Sequence, residues 1–104
     1  MVKIKIKKTI NPAIEAEEGK RFWLQDGRIL KSVEELAEAL EEMSQSVWEY
    51  HVTVQKNDFA NWVEDVFGEK KIGLAIRASK DPKTAAKKAK GKTKDPKLSS
   101  FLYF

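Results

Sequence analysis

Phe22-Trp23-Leu24-Gln25-Asp26-Gly27-Arg28-Ile29-Leu30-Lys31-Ser32-Val33-Glu34-Glu35-Leu36 is the stretch that decides the fold class. Two apolar runs flank Gln25-Asp26-Gly27-Arg28. Asp-Gly between such runs predicts a β-hairpin, here closed by a type I′ turn, because that turn needs positive φ. Ser32-Val33-Glu34-Glu35 follows at once and reads as a capping box. In it the Ser32 hydroxyl accepts from the third helical amide, while the Glu35 carboxylate returns to the cap. A hairpin running into a capped helix predicts an α+β chain.

Working outward, Val33, Leu36, Ala37, Leu40 and Met43 share one helical face, with Glu34, Glu38, Glu41 and Glu42 on the other. Ser44 or Ser46 is expected to cap a short helix carrying Val47, Trp48, Tyr50 and His51. Asn57-Asp58 is expected to cap a third helix with Phe59, Trp62, Val63 and Val66 inward, and Gly68 suits its left-handed end. Glu69 to Ala78 reads as a last helix with Ile72, Ala75 and Ile76 inward. Upstream, Val2, Ile4 and Ile6 alternate with Lys3, Lys5 and Lys7, which predicts a strand with one apolar and one wet face. Asn11-Pro12 breaks it, and Ala13 to Lys20 is a polar, acidic connection. The expected fold is a small antiparallel sheet, the N-terminal strand plus the hairpin, packed on three or four short helices.

A chain of 104 residues holds one domain at most. Its parts are expected to be a compact body over 1–79, a lysine-rich extended arm over 80–97 and an apolar anchor over 98–104. A body this small is marginal without help. The chain has no cysteine and one histidine, which excludes disulfides, thiolate metal sites and multi-histidine sites. A partner chain is therefore expected, and Val2, Ile4 and Ile6 are the candidate homodimer interface. No apolar run approaches the ~20 residues of a membrane helix. With no hydrophobic leader either, the expectation is a soluble, cytoplasmic protein without a membrane or small-molecule partner. The Glu- and Lys-rich composition follows the trend of heat-adapted proteins.

Residues that could carry chemistry have stronger structural explanations. His51 could be a general base or metal ligand, but a lone helical histidine is more often a hydrogen-bonded structural group. Asp58, Glu64 and Asp65 could cluster around a cation. Asp58 is better placed as a cap or first-turn residue, and hard cations want more converging oxygens. There is no glycine-rich phosphate loop, activated serine or zinc signature. No catalytic residue, metal or cofactor is expected, and the chain does not read as an enzyme. Trp23, Trp48, Trp62, Phe22, Tyr50 and Phe59 could stack on bases. At these spacings they are better read as the core.

The charge distribution is more specific. Residues 80–97 carry eight lysines against two aspartates, a net +6 within a chain whose total is +4, so the remainder is −2. Lys80, Lys83, Lys87, Lys88, Lys90, Lys92, Lys94 and Lys97 are spaced by small residues and are the candidate RNA-binding groups, able to track phosphates and release counterions. The alternative is a disordered solubilising tail. Pro82 is expected to end regular structure, and Asp-Pro-Lys recurs at 81–83 and 95–97. Phe101, Leu102, Tyr103 and Phe104 close the chain as a candidate partner anchor.

Phe22-x-Leu24-x-Asp26-Gly27, Ser32-x-x-Glu35-Leu36, Tyr50-His51-Val52 and Lys56-Asn57-Asp58-Phe59-x-x-Trp62-Val63-x-Asp65-Val66 occur in that order. Over about residues 20–78 they resemble a small, mostly archaeal domain family of uncharacterised function. With its basic extension the chain resembles the archaeal ribosome dimerization factors, homodimers that pair small (30S) ribosomal subunits and block subunit joining. The resemblance implies that the motif residues build the scaffold. It also implies that ribosomal RNA and small-subunit proteins are contacted from outside it, in ribosome hibernation or translation regulation. The alternative is an RNA- or DNA-associated ribosomal or architectural protein without a dimerization role.

Overall fold

A computed structural model describes residues 13–93, and side chains through Lys90. The fold is mixed α+β, as the sequence predicts. A two-stranded antiparallel sheet pairs β1 (Phe22–Trp23) with β2 (Ile29–Leu30), in the register Phe22↔Leu30 and Trp23↔Ile29. Five helices follow: α1 (Val33–Glu42), α2 (Gln45–His51), α3 (Asp58–Phe67), α4 (Lys70–Arg77) and α5 (Pro82–Thr93). The alternating N-terminal segment with Val2, Ile4 and Ile6, and the apolar segment from Leu98 to Phe104, lie outside the described residues.

The hairpin forms where expected, but its turn differs. Gly27 alone in it has positive φ, +100°, and Asp26 does not. The Gly27 amide donates to the Leu24 carbonyl at 2.9 Å and the Leu24 amide to Arg28 at 2.8 Å. This is a three-residue connection, a type I turn followed by a left-handed glycine, and it satisfies the strand twist as a type I′ turn would.

Caps set the helix starts. Ser32 accepts from the Glu35 amide at 3.1 Å, Ser44 from Val47 at 3.2 Å and Asn57 from Ala60 at 3.0 Å. Glu35 returns to the Lys31 amide at 2.8 Å, one residue before the cap itself. Gly68, at φ +69°, ends α3 in the left-handed conformation, where a side chain would be strained.

Leu24, Leu30, Val33, Leu36, Leu40, Val47, Ile72 and Ile76 fill the core around an aromatic cluster. In that cluster Phe22 stacks on Phe59 at 5.1 Å and meets Trp62 edge-on at 5.6 Å, and Trp48 stacks on Phe59 at 5.7 Å. The Trp62 indole N–H donates to the Lys20 carbonyl at 2.7 Å, which ties the connection before β1 to α3. Two aromatics expected in the core are outside it: Trp23 is 68% exposed and Tyr50 59%. Period two turns Trp23 away from the face that Phe22 buries, and Tyr50 lies on the outer side of α2.

The largest departure lies after Pro82. Residues 82–93 are helical where an extended arm was expected, and α5 packs on α1 and α4. Pro82 does not only end regular structure; it opens a new helix. Proline suits the first helical position because its missing N–H is unneeded there. Asp81 supplies the cap, accepting from the Thr84 amide at 2.7 Å and the Thr84 hydroxyl at 3.1 Å. Burial comes from Pro82, Ala85, Ala86 and Ala89. These residues are small enough to let two helix backbones approach closely, so a helix without large apolar residues can still dock.

Candidate nucleic-acid interface

The same helical period that turns Ala85, Ala86 and Ala89 toward α1 turns Lys83, Lys87 and Lys88 to solvent. Lys80 is exposed just before the cap. Lys90 is half-buried at the flank, where its ammonium pairs with Glu41 of α1. Of the eight lysines singled out in the sequence, the structure thus brings Lys80, Lys83, Lys87 and Lys88 to the exposed surface of one element and its entry. Lys92 is on α5 with its side chain undescribed, and Lys94 and Lys97 lie outside the described residues, as does the anchor Phe101, Leu102, Tyr103 and Phe104.

Local electrostatics disfavour this arrangement. Lys83 sits in the first turn, where the partial positive charge of the helix end repels a cation. Lys83 and Lys87 are four apart on one face, a like-charge pair that costs a helix a few tenths of a kcal/mol. The Asp81 carboxyl is the compensating charge. Hydrogen bonds from the Thr84 amide and hydroxyl, with the Lys83 amide, hold it below the usual carboxylate range. Phosphate oxygens along the helix would relieve the remaining repulsion.

Arg77, the last residue of α4, is committed internally. Arg77 forks onto Glu64, with its Nε at 3.2 Å and its terminal nitrogen at 2.8 Å, and donates to Asn61 at 2.7 Å. The hydrogen bond from Arg77 pulls the Glu64 carboxyl below its ordinary value.

His51 is a structural pin. Its Nε2 accepts the Gln25 amide N–H at 3.0 Å, which places the proton on Nδ1, where it is donated to Asp58 at 3.0 Å. The ring is buried against Phe22 and Phe59, both with centroids 5.1 Å away. Both nitrogens are spent joining the hairpin, α2 and the start of α3. Asp58 also accepts from Lys56 at 2.8 Å. Burial opposes its charge, but the bonds from Lys56 and His51 outweigh that and hold the carboxyl below its ordinary value. Sequence reasoning placed Asp58 at the helix start and missed this link; the Tyr50-His51-Val52 and Lys56-Asn57-Asp58 spacing around one tight turn is the signal that could have shown it. Among the described residues no group of three or more histidine or acidic side chains converges on a cation position, and no helix is long and apolar enough to cross a membrane.

Comparison of the chain with family models, with curated proteins and with solved structures finds no match.

Proposed function

We propose that this protein is a cytoplasmic, homodimeric ribosome-binding factor that lays the lysine face of α5 on RNA of the small ribosomal subunit and, by occupying or pairing subunits, keeps the large subunit from joining. The observation that carries the RNA half is the one-sided helix: alanines docked on α1, Lys83, Lys87 and Lys88 outward against the helix's own electrostatic preference. Asp81 offsets this only at the helix start, and a local rule broken beyond such an offset is expected at functional surfaces. The acidic outer face of α1, with Glu38 and Glu42, would repel phosphate and orient the protein with α5 toward RNA. The choice of the ribosome over other RNA is supported by the motif resemblance alone.

The test is sedimentation of tagged protein in cell lysate through a sucrose gradient. Wild type is expected to travel with small-subunit material, and Lys83→Gln/Lys87→Gln/Lys88→Gln to remain near the top. Wild type remaining at the top, or moving with DNA, would overturn the ribosome reading.

A further inference from the structure

A recess of about 220 Å³ lies between the loop over 52–57, which joins α2 to α3, and Arg77 at the end of α4. Both walls are held in place. In the loop, the Thr53 amide donates to the Lys56 carbonyl at 2.8 Å, and the Thr53 hydroxyl accepts from the Gln55 and Lys56 amides at 3.2 and 3.3 Å. Val52 and Asn57 bridge its base. Opposite, Arg77 has its Nε and Nη2 bound by Glu64 and Asn61. Glu64 reaches it by lying across α4 at Gly73, where a Cβ would stand 2.1 Å from a Glu64 carboxylate oxygen. The chain thus spends a glycine in the middle of a helix on holding this guanidinium.

Two donors on these walls are unspent. Asn57 is 6% exposed, and its Oδ1 caps α3 by accepting from the Ala60 amide. That bond fixes the side-chain amide and leaves Nδ2 with no partner among the described residues. No fully buried side-chain nitrogen or oxygen among those residues lacks a partner, so Nδ2 keeps a path to solvent, and Asn57 lines the recess. Arg77 lines it too, whereas Glu64 and Asn61 do not. The guanidinium therefore turns its remaining nitrogen, Nη1, toward the recess, and Nη1 also has no partner among the described residues. The lining holds two cations, Lys56 and Arg77, and no acidic residue among those described. Asp58 and Glu64 balance these charges from outside it, so the recess offers aimed donors rather than net charge. It also adjoins the start of α3, the helix end that favours an anion.

We infer that this recess seats one phosphate group of bound RNA, with Asn57 Nδ2 and Arg77 Nη1 as its donors. Its volume is below the roughly 300–1,000 Å³ of small-molecule sites, which suits a single group rather than a whole nucleotide. Phosphate is favoured over a protein carboxylate by continuity with the lysine face of α5. Lys80, exposed at the entry to α5, is three residues after Arg77, so their Cα atoms are at most about 11 Å apart. A backbone lying on Lys83 and Lys80 would reach the recess next.

This rests on the RNA half of the proposed function, not on dimerization. Asn57→Asp tests it, because a carboxylate keeps the cap on α3 while replacing the two N–H groups with an acceptor that repels phosphate. Short single-stranded RNA is titrated into wild type, Asn57→Asp and Lys83→Gln/Lys87→Gln/Lys88→Gln, with urea midpoints to show that each is folded. Asn57→Asp is expected to hold a midpoint close to wild type and to bind RNA about tenfold more weakly, as fits the loss of one charge-assisted hydrogen bond. Full affinity in Asn57→Asp beside weakened binding in the lysine variant would overturn the recess and leave α5 on RNA. Wild type that binds no RNA would overturn both. A second measurement needs no substitution: the Asn57 side-chain amide resonances of wild type are followed as inorganic phosphate, the RNA or a hexaglutamate peptide is added at constant ionic strength. They are expected to shift with phosphate and with RNA. A shift with phosphate but not RNA would make this a free-phosphate site, and a shift with the peptide alone would assign it to a protein carboxylate; either overturns the inference, as does no shift at all.

Discussion

Ala85 and Ala89 are fully buried, one turn apart on the face of α5 that meets α1. Replacing both with glycine tests whether α5 belongs to the fold. Each change costs about 1 kcal/mol in helix propensity and removes one buried methyl worth about 0.8 kcal/mol. The pair should therefore lower stability by about 3 to 4 kcal/mol, a large share of the 5–15 kcal/mol typical of a domain. The control is Lys87→Gly, exposed on the same helix, which should cost the propensity term alone, about 1 kcal/mol. Urea unfolding followed by tryptophan fluorescence suits the test, since Trp48 and Trp62 sit in the core and none of the three tryptophans is on α5. A midpoint unchanged by the double substitution would show that residues 82–93 do not pack on the body. Equal effects of Lys87→Gly and of each alanine change would show a helix that forms without docking.

Two further outcomes follow from the pin between α2 and α3. His51→Leu should lower stability by about 1 to 2 kcal/mol, because it removes the acceptor of the Gln25 amide and one of the two side-chain donors to the Asp58 carboxylate, which keeps Lys56; a thermal melt checks this. Asp58 has a folded pKa below its ordinary value of 3.8, so its contribution is present above that pH and is lost as pH falls through the folded value. The stability difference between wild type and Asp58→Asn should accordingly be constant near neutrality and shrink below about pH 4, read by urea midpoints at each pH; a difference independent of pH would remove the carboxylate from the account.

Much of the fold was legible because its signals are local. Asp26-Gly27 placed the hairpin, Ser32, Ser44 and Asn57 marked helix starts, and the period of Leu36, Leu40, Phe59, Trp62 and Val63 marked the inward faces. The turn type was not legible, since Asp-Gly serves a type I turn with a left-handed glycine as well as a type I′ turn. The helix at 82–93 was missed because its inward face is alanine and proline, which carry little periodic signal. Asp81-Pro82 was read as a stop when it is also a capped start. The exposure of Trp23 was hidden because a two-residue strand shows too little alternation to assign its faces. For the candidate interface, the lysines were legible as a charge run, but their sorting into exposed Lys83, Lys87 and Lys88 and the paired Lys90 depends on helical phase and on Glu41 of a distant helix.

Salt dependence of RNA binding tests the central claim most directly. Each lysine that neutralises a phosphate of single-stranded or irregular RNA contributes about −0.7 to the slope of log K against log salt. If Lys83, Lys87 and Lys88 all lie on phosphates, Lys83→Gln/Lys87→Gln/Lys88→Gln should bind ribosomal RNA more weakly, with a slope shallower by about 2 than wild type. An unchanged slope, or a wild-type affinity that does not respond to salt, would contradict the account.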